Sequence, residues 1–367
     1  MRSRIEFSLM LALALAGASP LLSAPLPRVH PGSPWYQRID QAAVHPNSAG
    51  PGGMIATLAG LGGFGNGRMQ IDFSMYVLYA IAGTPTQPLI EIPSADPDDD
   101  YYLPDCDALA TPIPLPAGGA IEGQAGYSCD VFNNDCHLLV VTGNEIFEVY
   151  RANVTAQGVQ SQCLARWRMD ALYPPQGRGE HCTSADAAGF PIAPLLFNAD
   201  EVAAAVQVAD GDLGHAIRFI LPNNRMASDV SLGGVLGRLY VRPASHAGGP
   251  SGPTASVPYG ARLRLRSDFP MTGYNAAAQV ILRTMQRYGI VLADGGTVAL
   301  TAESDRYTTN TWASLGIGSR VFDQTAGAQD VLVTDFAVID TGPRIGETYE
   351  CERSLPALDP LFANGFE

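Results

Sequence analysis

The chain has 367 residues, with 36 acidic against 22 basic side chains and a net charge of −14 when histidine is neutral. That balance argues against a nucleic-acid partner, because phosphate binding needs a basic face. Only 16% of residues are charged, while glycine (39) and proline (28) are abundant, which points to many short strands and turns rather than a helix bundle.

Residues 1–24 read as a secretory signal. Arg2 and Arg4 precede an apolar run from Phe7 to Gly17, and Ala16-Gly17-Ala18 and Ala24 offer small-residue cleavage sites. The run is too short and wrongly flanked for a membrane span, and no other run is long enough for one. The expectation is a secreted protein, extracellular or periplasmic, with no membrane association after cleavage. An exported chain with six cysteines is expected to carry up to three disulfides. Connectivity stays open except for Cys129 with Cys136, which close a short local loop. No CxxC or HxxxH spacing points to structural zinc.

Residues 25–60 are turn-rich, with a short helix expected near Met54–Leu61. The glycine-rich GGFGNGR at 62–68 lacks the strand, helix and lysine that a phosphate loop requires. Ile71–Ala82 reads as one strand. Residues 84–128 are irregular and hold Asp96, Asp98, Asp99, Asp100, Asp105 and Asp107; this is a solvated acidic loop, or a calcium site without the spacing of an EF-hand. Next comes a hairpin, His137–Val141 and Glu145–Arg151, turning at Gly143-Asn144. With a two-residue turn Leu139 faces Glu148 and Thr142 faces Glu145, so His137 and Glu148 share a face.

Ser184 is expected to cap a helix over 185–188, and Asn198 a second over Ala199–Val206. Strands follow at Leu213–Leu221, Leu239–Pro243 and Ala261–Ser267. Asn275–Tyr288 has apolar residues at helical spacing, ending at Gly289. Ile290–Ala293, Val298–Ala302 and Val331–Ile339 supply late strands, and the tail after Arg353 reads as loose. The expected organisation is a signal peptide (1–24), an irregular N-terminal part packed on the core (25–130), a β-sandwich core (131–345) and a C-terminal tail (346–367). The expected fold is mainly β, an antiparallel, jelly-roll-like sandwich with a few peripheral helices.

Three chemistries compete. Carboxylates on apolar strands or turns (Glu122, Glu148, Asp170, Asp186) suit the paired acids of glycoside hydrolysis. The alternation of Arg262, Arg264 and Arg266, and of Arg238, Tyr240 and Arg242, suits a guanidinium row that binds acidic polysaccharide, for a lyase or a non-catalytic glycan- or cell-wall-binding protein. His137, His181, His215 and His246 with a carboxylate suit a metal. No G-x-S-x-G elbow supports a serine hydrolase, and paired cysteines leave no thiol nucleophile.

Several segments, among them SPWYQRID (33–40), PIPLPAGGAIEG (112–123), TSADAAGFPIAP (183–194), HAIRF (215–219), YVRPASHAG (240–248), GARLRL (260–265) and RYGIVLADGG (287–296), are similar to a family of secreted proteins of soil bacteria, mainly actinobacteria. The resemblance covers most of the chain beyond the signal and implies a shared fold and a shared polar cluster, but no reaction. It draws attention to Glu122, Asp135, His137, Glu148, Asp186, His215, Arg218 and His246. The chain departs from it in the cysteine-bounded loop 129–136 and a longer acidic insertion at 94–110. The closing LFANGFE is similar to tails on exported proteins of gammaproteobacteria.

The expected function is secreted carbohydrate processing with a polysaccharide or cell-wall glycan as partner and no cofactor. Glu148 and Asp186 serve as acid–base pair, His137 and His215 orient them, and Arg218, Glu122, His246 and Asp170 bind substrate. On this reading Glu148→Gln abolishes turnover and leaves the melting temperature nearly unchanged.

Overall fold

The computed structural model describes residues 26–93 and 100–358; the signal segment, Asp96, Asp98, Asp99 and the LFANGFE tail lie outside these. The helices form where local chemistry dictates them. Helix α1 is Met54–Gly60. Helix α2, Ala199–Val206, begins at Asn198, whose Oδ1 accepts the Glu201 N–H at 2.8 Å. Helix α3, Ala276–Arg287, begins at Asn275, whose Oδ1 accepts the Ala278 N–H at 2.8 Å, and it buries Ala277, Val280, Ile281 and Met285. Gly289 just beyond it has φ +74°, and a Cβ there would lie 2.6 Å from the Leu263 carbonyl oxygen, so glycine is required twice over. The helix expected over 185–188 does not form. Instead Ser184 Oγ accepts the Asp186 N–H and donates to the Phe190 carbonyl, turning the chain without a helix.

Two sheets carry the fold. The strands are β1 (Ile71–Met75), β2 (Val77–Tyr79), β3 (Leu138–Thr142), β4 (Glu145–Tyr150), β5 (Cys163–Arg168), β6 (Ile217–Leu221), β7 (Arg262–Leu265), β8 (Ile290–Gly295), β9 (Leu300–Glu303) and β10 (Phe336–Val338). A six-stranded sheet runs β1-β9-β6-β8-β7-β10 and a four-stranded sheet runs β5-β4-β3-β2. The fold is mainly β with a few peripheral helices, as expected, and both sheets are mixed: β1 with β9, β6 with β8, and β2 with β3 are parallel. The stretch 71–82 is two strands that enter different sheets, because the chain breaks at Tyr76.

The β3–β4 hairpin has the expected register, Leu139 opposite Glu148 and Thr142 opposite Glu145. Its alternation decides the packing. Leu139, Val141, Ile146 and Trp167 face the main core shared with β6, β8 and β9, while Leu138, Val140, Phe147 and Val149 face a second, smaller apolar cluster. Both faces of this sheet are therefore covered.

Within the N-terminal part 25–130, β1 and β2 join the two main sheets. The C-terminal segment is not loose as far as it is described. Glu352–Arg353 pairs with Gly179–Glu180, Ala357–Leu358 pairs with Ala171–Leu172, and Cys351 is bonded to Cys182. All six cysteines pair: Cys129–Cys136 as expected, with Cys106–Cys163 and Cys182–Cys351. Three disulfides indicate an oxidising compartment. Among the described residues no helix is long and apolar enough to cross a membrane.

Candidate functional site

Strand β6 places Arg218 on the face opposite Ile217 and Phe219. The guanidinium is buried and fully engaged: Nη2 donates to Asp186 Oδ1 at 2.8 Å and to Asp294 Oδ2 at 3.0 Å, Nε to Asp186 Oδ2 at 3.2 Å, and Nη1 to Thr301 Oγ1 at 2.8 Å. Asp294 reaches this arginine because the β6–β8 register slips by one residue between Phe219 and Ile220, which sets Asp294 level with Ile220 on the face of Arg218. Asp186 is wholly buried, whereas the Asp294 side chain is 26% exposed.

These carboxylates line a cavity of about 750 Å³ with Asp105, Asp135, His246, Arg238 and five tyrosines: Tyr101, Tyr102, Tyr150, Tyr259 and Tyr349. A neighbouring cavity of about 620 Å³ shares Asp135 and Tyr150 and adds Glu122, Gln124, Phe132, Asn133, Asn134 and Arg151. The two cavities adjoin at Asp135 and Tyr150 and are together called the trough. Burial, and then the charge of Asp186, raises the Asp294 carboxyl to about 7 against the pull of Arg218. The floor of the trough thus holds an accessible carboxyl that carries a proton near neutral pH.

His137 stands next to this group. Its Nδ1 lies 2.7 Å from Glu122 Oε2 and its Nε2 3.0 Å from the Ala185 carbonyl oxygen. Both ring nitrogens face acceptors, so both carry protons and the ring is an imidazolium. Burial alone would lower its pKa; the Glu122 carboxylate overrides this and raises it to about 9, while His137 holds Glu122 down at about 2 despite burial. The bond to Ala185 fixes the turn that presents Asp186.

The other expected site residues lie elsewhere. Glu148 does not line the trough. It is wholly buried, and its Oε1 accepts the N–H groups of Ile192 and Ala193, each at 2.8 Å, while Oε2 accepts Trp167 Nε1–H at 3.0 Å. No oxygen is left for a substrate, so Glu148 clamps two chain segments. His215 is also wholly buried away from the trough, bonded to the Ala216 carbonyl oxygen and against Glu201, with its pKa driven well below 6.5 by burial. Asp170 pairs with Arg168 at 2.6 Å outside the trough. His246 does line it, with Nδ1 donating to the Ala187 carbonyl at 2.7 Å; burial lowers it to about 4, so it is neutral.

The arginine row is an internal fastening. Arg262 donates to the carbonyls of Pro34, Gln37 and Tyr288, Arg264 to those of Ile39, Asp40 and Ala42, and Arg266 pairs with Asp335 and Asp268. Arg238 bonds Tyr349 and Arg242 bonds Glu180. The glycine-rich loop turns its carbonyls, those of Gly62, Gly63 and Phe64, onto Arg225, the opposite polarity to a phosphate cradle. Among the described residues no three histidine, cysteine or acidic side chains are placed to hold a metal ion. Asp105 instead accepts the Thr183 N–H, and Asp107 pairs with Arg178 and Arg353.

The expected strand Ile290–Ala293 ends one position short of Asp294, so strand reading passes over this candidate site residue. Its signal was an aspartate closing an apolar strand just before Gly295-Gly296. Compared with known protein families, curated proteins and solved structures, the chain matches none.

Proposed function

We propose that this is an exported glycan-processing protein that hydrolyses glycosidic bonds in the tyrosine-lined trough, with Asp294 as the proton donor. The observation that carries the reading is the pairing of Asp186 and Asp294 on one nitrogen of Arg218 at the floor of an aromatic cavity. Acid–base cleavage of a glycosidic bond needs a carboxyl that keeps its proton beside a second that can act as base, and Asp294 and Asp135 line the same cavity. Tyrosine faces suit the apolar faces of sugar rings, and their hydroxyls suit the sugar hydroxyls.

In this scheme Asp294 gives its proton to the leaving glycosidic oxygen as the bond to the anomeric carbon breaks. Asp135, exposed at the same cavity, takes a proton from the attacking water, and the hydroxyl adds to the anomeric carbon. The proton then returns from Asp135 to Asp294 through solvent. Asp186 stays bound to Arg218, and burial, with the like charge of Asp186, keeps Asp294 protonated. The three disulfides and the signal-like N-terminus support export.

The test is reducing-end release by purified protein on neutral, amino and uronic polysaccharides, with and without chelator. Turnover that Asp294→Asn abolishes supports the reading. Retention of a glycan without product, unchanged in Asp294→Asn, marks a binding protein instead.

A further inference from the structure

Among the described residues, two aromatic side chains are exposed: Tyr102, 38% exposed, and Phe132, 57% exposed. Each lines one half of the trough, Tyr102 the half that holds Asp294 and Phe132 the other. An exposed ring that lines a cavity offers an apolar face to a ligand held there. Phe132 sits in the loop closed by Cys129–Cys136, with the Arg151 guanidinium 6.0 Å from its ring centre. The loop is held in shape from within: Asp130 accepts the Phe132 N–H at 3.1 Å, the Asn133 side-chain amide at 2.7 Å and, by its carbonyl, the Asn134 amide at 3.1 Å. The Phe132 half is therefore lined by this exposed ring together with the side-chain amides of Asn133, Asn134 and Gln124, with Asp135 at the junction. A ring face with planar amides around it recognises an uncharged pyranose, stacking on its C–H face and bonding its hydroxyls.

We infer that the trough takes an internal stretch of a neutral polysaccharide, with Phe132 as the stacking platform of a subsite remote from the cleaved bond. This rests on the proposed hydrolytic reading for its catalytic half. Asp294 lines one half of the trough and Phe132 the other, and the two halves adjoin at Asp135 and Tyr150. A chain bound across both halves is cut within its length, so the products are oligosaccharides. The closed loop is pre-organised, so little ordering opposes binding there.

The experiment compares wild type, Phe132→Ala and Phe132→Tyr on hydroxyethylcellulose, soluble xylan and glycol chitin, by affinity electrophoresis for binding and product sizing for cleavage. Phe132 is exposed, so the alanine variant should keep the wild-type melting curve. The expected result is retardation by at least one of these polymers, weakened about tenfold in Phe132→Ala and restored in Phe132→Tyr. Products are expected to be oligosaccharides, with a higher KM for polymer and an unchanged KM for the shortest oligomer cleaved. Equal retardation of all three proteins, no retardation by any of the polymers, or release of monosaccharide alone overturns the inference. Phe132-dependent retardation with no product from any substrate leaves the subsite standing and overturns the hydrolytic reading instead.

Discussion

Asp294 and Glu148 show how the surroundings of a carboxyl decide its use. Both are raised to about 7, in each case chiefly by burial. Asp294 opens to a cavity, while Glu148 is saturated by three N–H donors. Asparagine is a close mimic of a protonated Asp294 and can still accept from Arg218. Asp294→Asn should therefore lower turnover by about a hundredfold or more while the melting temperature holds. Glu148→Gln should do the reverse. It sets an amide N–H2 against either Trp167 Nε1–H or the N–H pair of Ile192 and Ala193, leaves a buried donor unmet and lowers stability by about 1–3 kcal/mol. Denaturant melts of the two variants separate these roles, and this reverses the expectation drawn from sequence for Glu148. The misreading has a physical source. Strand alternation shows that Glu148 faces inward, but whether an inward carboxyl meets water or backbone N–H groups depends on Ile192 and Ala193, which are more than forty positions away.

At the scale of elements, the link between the β3–β4 hairpin and the turn at 183–187 is the Glu122–His137–Ala185 chain of bonds. His137 has a folded pKa raised from 6.5 to about 9, so its contribution is full below about 6.5 and is lost as pH rises through about 9. Glu122, lowered to about 2, contributes fully above about 4.5 and loses this as pH falls through about 2. Stability from this couple should therefore be greatest between those limits. His137→Gln should cost on the order of 3 kcal/mol, because it strands a buried carboxylate, and should flatten the alkaline fall in melting temperature; an alkaline limb identical to wild type would remove His137 from this role. The hairpin register, both long helices and the Cys129–Cys136 loop were legible because each is set by neighbours within a few residues. The Asp294 position was not, because it depends on a register slip between β6 and β8, strands some seventy residues apart.

For the whole molecule, two long-range fastenings hold the trough in shape. Arg262 and Arg264 tie the segment 34–42 to the six-stranded sheet, and Cys182–Cys351 ties down the C-terminal segment that brings Tyr349 to the trough. That disulfide spans 169 positions. Replacing both its cysteines by serine should cost about 2–5 kcal/mol and, by freeing Tyr349, should raise KM more than it lowers kcat. A calorimetric melt with steady-state kinetics on one protein batch reads both. Composition had announced a β-rich, disulfide-bonded chain correctly. It could not announce that Arg262 and Arg264 face backbone carbonyls, since a guanidinium row on a strand looks the same in sequence whether it meets solvent or its own chain.

On the proposed reading, a carboxyl at the trough floor holds its proton near neutral pH and delivers it to the substrate. The pH profile of kcat/KM on a polysaccharide cleaved by the wild type tests it most directly, measured from about pH 5 to about pH 9. The expected rate falls as pH rises through about 7 with the ionisation of Asp294, and the residual rate of Asp294→Asn shows no such limb. A rate unchanged across that range, or an asparagine variant that keeps both the rate and its alkaline limb, would contradict it.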